Sequence, residues 1–136
     1  MSGQTDASLI LLPMLAHVCL AAILYAALTV VRAPSVWGLG LAKDGTNPWR
    51  NVEPRISANL SNQFEWPVLF YVACVLGMLI GVANERGFLM LAWLFVAGRI
   101  AHSLVQILTE NIRLRGIVFT LNFVAVLGMW SYLFGK

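Results

Sequence analysis

The sequence predicts an all-α integral membrane protein, a bundle of four transmembrane helices. Three observations carry this prediction. Apolar residues make up 60% of the chain and charged residues 11%, against about 45–50% and about 25% in soluble domains. The apolar residues are gathered into runs of spanning length. The polar residues within or beside those runs recur at helical spacing. With 136 residues the chain forms one domain, and it is too apolar to be disordered or to solvate its own surface as a soluble enzyme does. The formal charge of +3 is too small and too scattered for a nucleic-acid-binding face. Cys19 and Cys74 both sit in apolar runs and belong to no CxxC pair, so they read as small core residues, with no metal ligated.

The first run, Ala7 to Val31, holds 25 uncharged residues. At 1.5 Å per residue that is roughly 37 Å, enough to cross a hydrocarbon core about 30 Å thick. Asp6 is the sole charge before Arg32, so the basic n-region of a signal peptide is absent. The second run, Trp66 to Ala83, has 18 uncharged residues. The third starts at Gly87, stays apolar to Gly98, then carries Arg99, His102 and Gln106 before ending near Thr109. The fourth runs from Gly116 to Gly135 with Asn122 as its one amide. Spans are therefore expected at about 8–31, 66–83, 87–108 and 116–135. Between the first two, Ala33–Pro54 reads as a loop, because Pro34, Pro48 and Pro54 remove donors and Gly38, Gly40 and Gly45 free the backbone. Trp37 and Trp49 suit a headgroup boundary.

Basic residues set the expected orientation. Arg32, Lys43, Arg50, Arg55, Arg113 and Arg115 lie on one side, and only Arg86 and Lys136 on the other, six against two. The positive-inside rule places both termini away from the cytoplasm and the 33–54 loop within it.

Polar side chains inside a span are costly and therefore informative. Arg99, His102, Ser103, Gln106 and Glu110 fall at i, i+3, i+4, i+7 and i+11, one helical stripe. It should face other helices or a wet cavity. As a structural element, Arg99 should have a partner such as Glu65. Arg55, Asn59, Asn62 and Trp66 form a second face at i, i+4, i+7 and i+11, with Gln63 beside it, on a helix expected to start near Arg55. Pro67 should bend that helix. His17 and His102 together could hold a haem or metal, but a hydrogen-bonded packing histidine is the commoner case. Gly77 and Gly81 make a small-xxx-small motif that permits close helix packing.

Two segments resemble the MAPEG family, the membrane-associated proteins in eicosanoid and glutathione metabolism. One is Gly98-Arg99-Ile-Ala-His102-Ser103 followed by Arg113-Leu-Arg115-Gly-Ile-Val-Phe119, similar to the third-helix end and fourth-helix start of the prostaglandin E synthase branch. The other is Arg55-x-x-x-Asn59 leading into Glu65-x-Pro67-Val-Leu-Phe70, similar to the family's second helix and most like bacterial members. The resemblance implies a homotrimer in a bacterial inner membrane, with glutathione as cosubstrate between neighbouring subunits near the cytoplasmic face. It matches Arg32, Arg55, Asn59 and His102 to ligand-contacting positions, with Arg113 beside them, and Arg115 to the arginine that faces the glutathione sulfur. Asn62 stands where the pattern has a glutamate, which leaves Glu65 to meet the α-amino group. Gln106 stands where the prostaglandin branch has a tyrosine.

The implied activity is a glutathione-dependent transferase or peroxidase acting on lipophilic electrophiles. A cation beside the thiol favours the thiolate, the reactive form, and Arg115 remains charged at any working pH. The alternative is a non-catalytic protein of the same fold that binds a lipid or an anionic small molecule. A proton-coupled exporter fits less well, because Glu65 and Glu110 lie at span boundaries.

Overall fold

The computed structural model describes residues 8–136, so Ala7, the first residue of the first apolar run, lies outside the described residues. Five helices follow in order: α1 Ser8–Trp37, α2 Glu53–Asn62, α3 Pro67–Leu79, α4 Arg86–Leu108 and α5 Ile112–Phe134. No strand occurs among the described residues. Three of the helices, α1, α4 and α5, are long and apolar enough to cross a membrane, with mean hydropathies of 2.3, 1.7 and 1.8 over their best windows. Their outer surfaces carry bare Leu11, Leu15, Ile23, Val30, Ile117 and Val124, an apolar exposure that suits lipid rather than water.

The helix expected to run from near Arg55 into the second span is divided. α2 ends at Asn62 and α3 begins at Pro67. Pro67 has no amide hydrogen, and its ring clashes with the carbonyl four residues back. The intervening turn is tightened by Gln63 N–H to Leu60 O (3.0 Å) and Phe64 N–H to Ser61 O (3.0 Å). With its 13 residues, α3 alone reaches only roughly 20 Å. It stops at Leu79 rather than Ala83, because Gly81 adopts φ +80° and both Val82 and Ala83 turn back to donate to Gly77 O (2.9 and 3.0 Å).

The loop is shorter than the Ala33–Pro54 expected. α1 runs through Pro34 for one more turn to Trp37, since proline's fixed φ is compatible with a helix and the cost is one hydrogen bond. Pro54 sits in the first turn of α2, where its missing donor is tolerated. Asn47 Nδ2 donates to Val31 O (2.9 Å) and Ser35 Oγ (2.8 Å), folding the loop onto the end of α1. α5 begins at Ile112 rather than Gly116, capped by Asn111 Oδ1, which accepts from Leu114 N–H (3.0 Å).

α4 packs most extensively on α5 and also meets α1 and α2. Phe70 of α3 stacks on Phe95 of α4 with ring centroids 4.2 Å apart, and Trp66 stacks on Phe123 of α5 at 4.7 Å. A second apolar cluster, Leu24, Leu28 and Val31 with Ile56 and Leu60, binds α1 to α2. At the end holding the α3–α4 turn and the C-terminus, Glu85 pairs with Lys136 (2.7 Å) and accepts from Tyr132 (2.5 Å). Those hydrogen bonds, Lys136 first, hold the Glu85 carboxyl below its ordinary range, so the tie persists at neutral pH and loosens on acidification.

Close packing of α4 and α5 depends on Gly98. A Cβ there would lie 2.3 Å from Asn122 Oδ1, and Asn122 is fully buried. Gly98→Ala is expected to cost about 1–3 kcal/mol by overpacking, measured as a lowered unfolding temperature in detergent. An unchanged temperature would mean that Asn122 moves aside freely.

Candidate functional site

The polar side chains of α2 and α4 meet in one buried network. Asn59 and Gln63 lie four apart on the face of α2 turned to α4, and Arg99, Ser103 and Gln106 follow each other down α4. Arg99 is fully buried and donates from Nε to Gln63 Oε1 (3.1 Å). Gln63 Nε2 donates to Asn59 Oδ1 (3.1 Å), which also accepts from Ser103 Oγ (2.8 Å). Asn59 Nδ2 then donates to Gln106 Oε1 (2.8 Å). At the other end His17 of α1 bridges Gln63 Oε1 (2.9 Å) and Tyr71 Oη (2.7 Å). The amides of Asn59, Gln63 and Gln106 and the Ser103 hydroxyl satisfy one another, which makes their burial tolerable, while Arg99 Nη1 and Nη2 have no partner within the described chain.

One expectation is corrected here. The partner of Arg99 is Gln63, not Glu65, which is exposed at the α2–α3 break. The reason is the tightened turn before Pro67, which keeps Gln63 in register with Asn59 and leaves Glu65 beyond it. His17 is a hydrogen-bonded packing histidine, facing Gln63 and Tyr71. No group of three His, Cys, Asp or Glu capable of holding a metal exists among the described residues.

Beyond Gln106 the network opens into a cleft of about 340 Å³ between the start of α2, the end of α4 and the start of α5. Arg55, Gln106, Thr109, Glu110, Asn111 and Arg115 supply its polar lining, and Pro54, Ala58, Val105 and Ile112 its apolar part. Two guanidiniums face one carboxylate, so the cleft is net positive. Arg55 pairs with Glu110 across the mouth. Glu110 lies past the end of α4 at Leu108, so it reaches the cleft from the α4–α5 turn rather than from the helical stripe.

The remaining candidates divide clearly. Arg113 is exposed and does not line the cleft. On a helix, side chains two apart point about 200° away from each other, so Arg115 and Arg113 cannot share one cleft. Asn59 is buried behind Gln106 and does not line the cleft either, so it supports the wall rather than forming it. Arg32 is tied to α2 through Glu53 (2.6 Å) and Ser57 (3.2 Å). Asn62 is half-buried outside the cleft, as is Trp66. His102 is buried against α5, its ring centroid 6.0 Å from that of Phe119, and its Nδ1 has no partner. Thus the chain brings together Arg55, Gln106 and Arg115 at the cleft, and leaves Arg32, Asn62, Glu65, His102 and Arg113 elsewhere.

Sequence reasoning placed Gln63 merely beside a polar face, whereas it is the hub of the network. The available signal was its i+4 spacing from Asn59 just ahead of Pro67. Nothing in the sequence singled out Tyr71 as a partner of His17, because the two are 54 residues apart.

Comparison with curated proteins and with solved structures gave no match. The sequence model of the MAPEG family matches residues 10–135, nearly the whole chain. That family includes glutathione transferases and peroxidases as well as non-catalytic members. The match covers every helix described above, and with three long apolar helices and a polar network at the α2–α4 seam, this integral membrane chain belongs to the MAPEG family.

Proposed function

We propose that this protein is a glutathione-dependent transferase or peroxidase acting on lipophilic electrophiles. One observation carries the reading: a net positive cleft, lined by Arg55, Gln106 and Arg115, opens at the charged end of long apolar helices. A water-soluble anionic thiol can enter there from the aqueous side, and a lipid-soluble electrophile can arrive from the bilayer. Arg115 is the catalytic residue. Its guanidinium stabilises the thiolate by charge-assisted hydrogen bonds and so raises the fraction of the reactive form. Arg55 and Gln106 hold the peptide part.

In this reading the chain is a single membrane domain in which α2 and α3 together complete the fourth crossing. It assembles as a homotrimer in a bacterial inner membrane, with the 38–52 loop cytoplasmic. Arg32, Asn62 and Glu65, which one subunit leaves outside its own cleft, complete the site of a neighbour, and His102, buried against α5, supports the wall from within. The decisive measurement is a calorimetric titration of the detergent-purified protein with glutathione and with its S-alkyl analogue. Saturable binding of both at one site per subunit is expected, with a mass corrected for detergent equal to three chains. No binding, or a monomer that binds fully, overturns the shared glutathione site.

A second reading, a non-catalytic member that binds an anionic molecule, draws support from the Arg55–Glu110 pair, which already occupies one of the two cleft cations. It predicts saturable binding with no glutathione-dependent reaction of any lipophilic electrophile.

The orientation has its own test. With Cys19 and Cys74 replaced, a cysteine at Ser35 should resist an impermeant thiol reagent in intact cells, and one at Ser2 should react. The reverse pattern would sink the assignment.

A further inference from the structure

The hydrogen-bond chain behind the cleft has a direction, and donor chemistry alone determines it. A guanidinium is donor-only. The Gln63 atom that meets Arg99 Nε at 3.1 Å is therefore the amide oxygen. The Gln63 nitrogen must then face Asn59, so the Asn59 atom at 3.1 Å is its oxygen, which also accepts from Ser103 Oγ (2.8 Å). The Asn59 nitrogen is left to face α4, so the Gln106 atom it meets at 2.8 Å is an oxygen. The second half of the Gln106 amide, its N–H₂, is left for the cleft that Gln106 lines. Each amide has two possible orientations, indistinguishable by shape. Here each is dictated by its neighbour, back to one buried arginine.

We propose that Gln63, which does not line the cleft, is a positioning residue that sets the polarity of the cleft wall. Through Asn59 it holds Gln106 with its N–H₂ outward, so that this wall selects ligands presenting an acceptor oxygen, a carboxylate or a peptide carbonyl, and rejects donors. This rests on the reading of the cleft as a glutathione site and deepens it, since glutathione carries two carboxylates and two peptide carbonyls. The wall needs little reorganisation when the ligand arrives, because Gln63, Asn59 and Gln106 are already held in place without it.

The test reverses the chain without touching the cleft. In Gln63→Glu the carboxylate still accepts from Arg99, so the buried charge keeps its partner. It has no donor for Asn59, so Asn59 turns its nitrogen toward position 63 and its oxygen toward Gln106. Gln106 then turns its N–H₂ inward and its oxygen to the cleft. Titration of the full-length protein in detergent with glutathione should show at least tenfold weaker binding in Gln63→Glu. Asn59→Asp imposes the same inversion on Gln106 and should weaken binding equally, which keeps the test open if Gln63→Glu fails to fold. A thermal-stability cycle of Gln63→Glu, Gln106→Glu and the double variant uses no ligand. Gln106→Glu alone retains the acceptor that Asn59 needs. In the double variant oxygen faces oxygen, so its loss of unfolding temperature should exceed the sum of the single losses. Wild-type binding in Gln63→Glu or Asn59→Asp, or an additive cycle, overturns the proposal. If the wild-type protein itself binds no glutathione, the glutathione reading fails, and the stability cycle still decides the direction of the chain.

Discussion

Arg115→Ala is expected to remove glutathione-dependent turnover while leaving most glutathione binding in place. The guanidinium is exposed on the cleft wall at the start of α5, and in the proposed function its part is to stabilise the thiolate sulfur rather than to hold the peptide. Loss of a group that stabilises charge in the reacting state costs on the order of 10²-fold or more in rate. Arg55 and Gln106 remain to hold the peptide part, so the loss should appear in kcat more than in the dissociation constant. Arg115→Lys should recover part of the rate, because a single sulfur needs positive charge more than fork geometry. Arg113→Ala should do little, since Arg113 points away from the cleft. Full activity in Arg115→Ala would remove Arg115 from the mechanism, and equal losses at 113 and 115 would point to a general field of the basic loop.

Gln63→Leu should be the most destabilising of the single changes, at about 3 kcal/mol, because it leaves a buried charged donor without its acceptor. Arg99 is wholly buried, its Nε bond to Gln63 is its one hydrogen bond within the described chain, and Nη1 and Nη2 have none. The same change strips an acceptor from His17 Nε2 and a donor from Asn59. Arg99→Met removes the charge together with its need for a partner, and should cost less. In the background of Arg99→Met, Gln63→Leu should lose much of its effect. Unfolding temperatures of the four proteins in one detergent give the comparison. Additive losses would show that the guanidinium draws its stabilisation from elsewhere, such as a neighbouring subunit. His102→Ala, by contrast, removes a side chain whose Nδ1 is unpartnered and should perturb stability less than Gln63→Leu.

Much of the architecture was legible in one dimension because a bilayer reads sequence almost locally. Backbone polar groups cannot face lipid unpaired, so a long apolar run has to be a helix. The runs that became α1, α4 and α5 needed no knowledge of their neighbours. The 3.6-residue period similarly placed Arg99, Ser103 and Gln106 on one stripe, which the fold buries as a unit. The period also separated Arg115 from Arg113 before any contact was known, and the family resemblance selected Arg115 for the cleft.

What the tertiary structure alone decided concerns pairings between segments far apart in sequence. Periodicity puts Asn59 and Gln63 on one face of a helix but is silent about which faces Arg99, and a nearby carboxylate, Glu65, was the reasonable candidate. The choice fell to Gln63 because Pro67 ends the helix and tightens the turn ahead of it, so Gln63 stays in the α2–α4 seam while Glu65 is carried to the surface. The same holds for His17 with Tyr71, and for Arg55 with Glu110 from opposite sides of the cleft. The physical reason is common to all of them. A helix and its polar face are properties of a few consecutive residues, whereas the identity of a buried hydrogen-bond partner depends on how whole helices are packed, shifted and broken.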